Sequence, residues 1–265
     1  SNNVAKTILL TGSTDGIGLE TARMLNAQGH TVLLHGRSDS RLADTQAQLT
    51  GPGAVEAYRA DLSQLSEVAA MADAVAAKHA SIDVLINNAG VFKMPNPVAA
   101  DGQDLRFVVN TVAPYLLTRK LLPLLPADGR VVNLSSAAQA PVNLAALAGG
   151  VAMDDNKAYA QSKLAITMWS AHLAQELGPA GPVVVSVNPA SLLGSKMVKD
   201  AYGVAGGDLA IGADILVRAA LSEEFANASG RYYDNDNKCF ADPLPDALDP
   251  AKNAAVVATI EKLLR

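Results

Sequence analysis

A glycine-rich turn, Thr11-Gly12-Ser13-Thr14-Asp15-Gly16-Ile17-Gly18, follows directly on a short apolar run at 7–10 and opens an amphipathic stretch at 16–28. Glycines at such a junction permit a sharp reversal from strand into helix. The rhythm then repeats. Short apolar runs predict strands at 31–34, 54–58, 82–86, 130–134 and 183–187, and amphipathic stretches predict helices over 40–49, 64–79, 106–122 and 155–177. Strands this continuously apolar belong in a parallel sheet covered by helices on both faces, with 183–187 as its last parallel strand. The expected fold is α/β, a doubly wound sheet. No linker, repeat or change of composition interrupts the pattern, so residues 1–265 read as a single domain. Two stretches, 137–158 and 189–207, are long for loops; they read equally as binding loops and as segments with short helices of their own. The second also follows a strand's carboxyl end, which predicts a lid that closes over a ligand.

The turn at 11–18 suits an anion. Its glycines let the backbone approach a pyrophosphate, and the helix N-terminus behind it favours negative charge. The spacing G-x-x-x-G-x-G departs from the commoner G-x-G-x-x-G while keeping its logic, and a ligand-free tight turn is the alternative. Two more strands end in polar residues at the carboxyl edge, where doubly wound sheets bind ligands: Asn87-Asn88-Ala89-Gly90 and Asn133-Leu134-Ser135-Ser136. A serine there can donate a hydrogen bond to a carbonyl oxygen as charge develops on it, or can merely cap a loop. In the helix at 155–177, Tyr159 and Lys163 are four residues apart and share a face, so the ammonium can favour the phenolate and ready it for proton transfer.

Several classes are disfavoured. A net charge of -5 and a pI near 5.3 argue against a nucleic-acid binder. The one cysteine, Cys239, cannot form an internal disulfide, no zinc-type Cys/His spacing occurs, and no metal is expected. The chain lacks an export signal and a membrane span, so the expected compartment is the cytoplasm. No G-x-S-x-G elbow supports a hydrolase. His30, His35, His79 and His172 share no spacing and read as structural, as do Met168 and Trp169 on the long helix.

Taken together and in this order, the motifs resemble the short-chain dehydrogenase/reductase superfamily, in its retinol dehydrogenase-like branch, over essentially the whole chain. The resemblance implies a Rossmann-type fold and a hydride transfer between a nicotinamide dinucleotide and a small carbonyl or alcohol substrate. It implies Tyr159 as acid/base, Lys163 as ribose ligand and modulator of the tyrosine, Ser136 as substrate-orienting serine with Ser135 as the lesser claimant, and Asn110 as support of a proton-relay water. The cofactor would meet Gly12, Ser13, Asp15, Gly16, Ile17 and Gly18 at the turn, Asp61 and Leu62 after the third strand, and Asn88, Ala89 and Gly90. Pro189 and Leu192 would lie at the nicotinamide, where Ala190 replaces the family's glycine and the stretch 137–158 is longer than in many relatives. Phe92, Met94, Leu192, Met197 and Tyr202 suggest an apolar substrate pocket. Relatives often form dimers or tetramers through the helices bearing Asn110 and Tyr159, so a homodimer or homotetramer is expected. The alternative function is a cofactor sensor without catalysis.

The end of the second strand predicts the coenzyme. An NAD enzyme usually places a carboxylate there, whereas this chain has Gly36-Arg37-Ser38. A guanidinium can bind a 2′-phosphate through two parallel hydrogen bonds, with Ser13 and Ser38 as neutral donors beside it. NADP(H) is therefore expected over NAD(H), against a competing pull from Asp39 towards the ribose.

Overall fold

The structure, a computed structural model, describes residues 4–191 and 209–265. Eight strands form one sheet: β1 (Thr7–Leu10), β2 (Thr31–Gly36), β3 (Val55–Arg59), β4 (Val84–Asn87), β5 (Arg130–Leu134), β6 (Val183–Asn188), β7 (Tyr232–Asp234) and β8 (Cys239–Ala241). Their order is β3-β2-β1-β4-β5-β6-β7-β8. Pairing is parallel up to β7, and β8 closes the edge antiparallel to it. The order reverses between β1 and β4, which opens a crevice at their carboxyl ends.

Side chains along each strand alternate between faces, and each face has its own core. Leu9, Leu33, Leu85, Val131 and Val184 face one side, under α3 (Leu65–Lys78), α5 (Ala113–Leu121), α7 (Asp155–Leu177) and α9 (Pro250–Leu263). Ile8, Leu10, Val32, Leu34, Ile86, Val132 and Val185 face the other, under α1 (Gly16–Ala27), α2 (Asp39–Gln48) and α8 (Leu209–Leu221). The doubly wound α/β fold is as expected.

Two features differ from the sequence reading. β6 is not the last parallel strand, because β7 adds another; three residues are too few to show a period. The helix expected over 106–122 is not uniform. It runs from α4 (Leu105–Phe107) through a π turn, Val108–Val112, into α5. Pro114 has no N–H to give to the carbonyl four residues earlier, that of Asn110, so regular α pairing fails there. Of the two readings for 137–158, the one with its own short helix holds: α6 (Leu144–Leu147) is capped by the Asn143 side chain, which accepts from the Ala146 N–H at 3.1 Å. Of 189–207, residues 189–191 alone are described; the expected lid and the candidates Leu192, Met197 and Tyr202 lie outside the described residues. Among the described residues no helix is long and apolar enough to cross a membrane.

Candidate active site

The turn after β1 is held from three sides. Gly12 sits at φ +64°, a conformation that favours glycine. Its N–H donates to His35 Nδ1 at 2.9 Å, and His35 Nε2 lies 2.9 Å from the Ala60 carbonyl, to which it must donate. Those two bonds fix a neutral tautomer with the proton on Nε2. Burial agrees, lowering the His35 pKa to about 4. Thr11 Oγ1 accepts from the Asn88 and Ala89 N–H groups at 2.9 and 3.0 Å, and Asn88 Nδ2 donates to the Gly12 carbonyl at 3.0 Å. A Cβ on Gly18 would overlap that same carbonyl oxygen, so helix and turn pack at backbone contact.

The N-terminus of α1 has no acidic residue in its first turn and no side-chain cap. Its first N–H groups therefore point to an anion from outside the helix, and the residues present fit a dinucleotide pyrophosphate. Ser13 is placed differently from its expected role. It is fully buried, its hydroxyl donating to the His35 carbonyl at 3.2 Å and accepting the His35 N–H at 2.9 Å. The turn geometry faces this hydroxyl inward, onto the β2 backbone. Asp15 pairs with Arg41 at 3.2 Å, and Ser38 caps α2 by accepting the Arg41 N–H at 3.3 Å. Arg37 is exposed at the end of β2 and has no ion pair among the described residues. Asp61 accepts from Ser63 N and Oγ at 2.9 and 2.7 Å, while Leu62 is buried in the core.

Further along the same sheet edge the proposed reacting groups gather. Lys163 is 4% exposed, and its Nζ donates to the Leu134 carbonyl at 3.0 Å. Burial lowers its pKa to about 8. The ammonium lies 5.7 Å from the centre of the Tyr159 ring, which packs at 4.6 Å against Phe92. A Cβ on Gly90 would come within 3.3 Å of Asn110 Oδ1 and 3.6 Å of Lys163 Nζ, so these three meet. Asn110 is buried in the π turn, accepting from Val91 N at 2.8 Å and donating to Val91 O and Ser162 Oγ at 2.9 and 3.0 Å. Its side chain thereby ties β4's end to α7. The start of α7 is fixed by buried Arg106, which binds both Asp104 and Asp155.

Burial separates the two serines. Ser135 is buried against Thr167, 2.8 Å between hydroxyls, whereas Ser136 is partly open at the sheet edge, its Oγ accepting the Ala138 N–H at 3.0 Å. Tyr232 of β7 donates to the Ser136 carbonyl at 3.4 Å. At the far side of the crevice Pro189 and Ala190 leave β6, with Ala190 at φ +143°. A non-glycine residue held there stores strain of about 1–3 kcal/mol. Sequence reasoning gave no role to Arg41 or Tyr232, took Thr11 only as part of the glycine motif, and read His35 as structural without finding the turn it holds. Among the described residues no group of three or more His, Cys, Asp or Glu could hold a metal ion.

Comparison with known proteins agrees with this geometry. The short chain dehydrogenase family matches residues 6–202. Retinol dehydrogenase 13 of Homo sapiens is 30% identical over 92% of this chain and 80% of its own. An uncharacterised protein from Mycobacterium paratuberculosis superposes with a TM-score of 0.81 at 28% identity, covering 97% of this chain and 92% of that one. A short chain dehydrogenase from Burkholderia cenocepacia in complex with NADP gives a TM-score of 0.71 at 26% identity over 88% and 97%. With motifs, topology and matches all in one register, the chain belongs to the short-chain dehydrogenase family and is an NAD(P)-dependent oxidoreductase.

Proposed function

We propose that the protein is an NADP(H)-dependent oxidoreductase acting on an apolar carbonyl or alcohol. The observation that carries this reading is the buried Lys163 ammonium beside the Tyr159 ring, at the same sheet edge as the anion-binding turn. When bound, the nicotinamide supplies or accepts the hydride. Tyr159 gives a proton to the substrate oxygen in reduction and takes it back in oxidation. Ser136 donates a hydrogen bond to that oxygen as charge develops on it, and Lys163 favours the phenolate after the proton leaves. Asn110 holds the π turn in place through Val91 and Ser162. Phe92 and the half-buried Met94 give the substrate side an apolar wall.

For coenzyme choice, Arg37 is the exposed cation at the end of β2, and Arg41 stands in the first turn of α2. The Burkholderia relative's complex with NADP is in keeping with this preference. We place the reaction in the cytoplasm. Pairing of copies through the Asn110 and Tyr159 helices would have to include α9, whose Val256, Val257 and Ile260 share one core with α7.

Titration of NADPH and NADH into wild type and Arg37→Ala tests the coenzyme assignment. Loss of a charged hydrogen bond costs about 1.5–3 kcal/mol, so the variant should bind NADPH roughly tenfold to a hundredfold more weakly and NADH nearly as before. Equal losses for both, or a wild-type preference for NADH, would contradict it. Absorbance of the reduced nicotinamide across a panel of apolar aldehydes, ketones and alcohols tests the reaction itself.

A further inference from the structure

Pro189, Ala190 and Ser191 follow β6 at the carboxyl edge, and the loop between β7 and β8 grips them on both sides of the strained residue. Asn235 Nδ2 donates to the Pro189 carbonyl at 2.7 Å, and Asn235 N donates to the Asn188 carbonyl at 3.1 Å. Asp236 Oδ1 accepts the Ser191 N–H at 2.7 Å, while Oδ2 accepts from Ser191 Oγ at 2.7 Å and from Asn188 Nδ2 at 2.9 Å. Asp234 completes the clamp by accepting from Asn188 Nδ2 at 3.1 Å and from the Asp236 N–H at 3.0 Å. Asn188 and Asn235 are both buried. Apart from a longer bond from Asn235 Nδ2 to the Ile211 carbonyl at 3.5 Å, each of these bonds that leaves the loop ends on 188, 189 or 191, and none described ends on Ala190.

A strained backbone conformation persists only where its surroundings over-determine it. Here the over-determination is visible: Asn235 holds the two successive carbonyls before Ala190, those of Asn188 and Pro189, and Asp236 holds the N–H and hydroxyl of Ser191 after it, leaving φ at +143°. Glycine would adopt that conformation with little cost. We infer that Asn235 and Asp236 are positioning residues for the nicotinamide end of the site, the β7–β8 loop supplying by hydrogen bonds the turn geometry that glycine would supply by its freedom. The inference rests on the dinucleotide reading above. It assigns a role to a loop that touches neither the glycine turn nor Tyr159 in any contact described. It also accounts for the alanine, since a chain with this clamp does not need glycine at 190.

The test separates the two ends of the coenzyme by using NADPH and its nicotinamide-free fragment, 2′-phospho-ADP-ribose, as probes. Dissociation constants are measured by titration calorimetry for wild type, Asp236→Ala, Ala190→Gly and the double variant, with Asp236→Asn as the milder replacement should the alanine variant fold poorly. Releasing the clamp lets Ala190 relax, so Asp236→Ala should weaken NADPH about tenfold and leave the fragment within about twofold, the scale of losing charge-assisted hydrogen bonds. In the Ala190→Gly background the same substitution should cost threefold or less, because glycine keeps the turn without the clamp. Equal losses for NADPH and the fragment would make Asp236 a residue of the fold alone and overturn the inference. So would a loss of the same size in both Ala190 backgrounds. Failure of wild type to bind either probe would overturn the dinucleotide reading and this inference with it.

Discussion

Lys163 carries its charge in a poor place for one: it is 4% exposed, its single described hydrogen bond goes to the Leu134 carbonyl, and burial lowers its pKa to about 8. In the unfolded chain a lysine titrates near 10.4. Between about 8 and 10.4 the unfolded chain therefore holds a proton that the folded chain has released, and stability rises with pH across that window. Below pH 8 both states hold it and the folded state bears the full cost, roughly 3 kcal/mol. Lys163→Met should then be more stable than wild type by about 1–3 kcal/mol at pH 7 in the absence of coenzyme, with the gap closing between pH 8 and 10.4. Denaturant unfolding at a series of pH values reads this directly, and a gap independent of pH would contradict it. Legibility at this scale was uneven. The Tyr159–Lys163 spacing places both side chains on one face from sequence alone, but nothing local distinguishes Ser135 from Ser136 or turns Ser13 inward. Those depend on which hydroxyl meets Thr167 or the His35 backbone, 32 and 22 residues away.

Among elements, the β1–α1 junction is the most constrained, because a side chain at Gly18 would meet the Gly12 carbonyl and lie 2.8 Å from Asn88 Nδ2. Backbone cannot yield as a flexible side chain can. Gly18→Ala should lower stability by roughly 1–3 kcal/mol or more and weaken coenzyme binding, since helix and turn must part. Thermal unfolding with and without NADPH checks both effects; an unchanged midpoint and affinity would show that the close approach carries no energy. Strands β1, β2, β4, β5 and β6 were readable because each is a mainly apolar run of four to six residues, and β3, Val-Glu-Ala-Tyr-Arg, from its place in the alternation. β7 and β8 have three each, too short for periodicity, and their aromatic residues Tyr233 and Phe240 pack at 5.1 Å through a hairpin no local pattern announces. The π turn escaped for a related reason: its side chains still follow a helical apolar pattern, and the break lies in backbone pairing near Pro114. His35 reads as one polar residue in an apolar strand, and its function becomes apparent only when β1's turn and Ala60 converge on its two nitrogens.

Across the whole molecule one sheet edge does all the work described. The β1–β4 switch point brings the glycine turn to one side, β5 and α7 bring Ser136, Lys163 and Tyr159 to the middle, and β6 with the β7–β8 loop borders the far side. The doubly wound character of strands 1 to 6 was legible because parallel apolar strands alternating with helices leave few arrangements, although their order across the sheet was not. The edge beyond β6 was not, nor was the packing of α9 over α7. In the proposed mechanism coenzyme binding and proton transfer belong to separable groups along this edge, with Tyr159 serving the second. Rapid-mixing reduction of an apolar aldehyde or ketone by Tyr159→Phe, measured alongside the NADPH dissociation constant, tests it most directly. The expected result is a hydride-transfer rate lower by about a hundredfold or more, the scale of lost general acid catalysis, with NADPH affinity within about twofold of wild type. An undiminished rate, or a rate lost only in step with NADPH affinity, would contradict it.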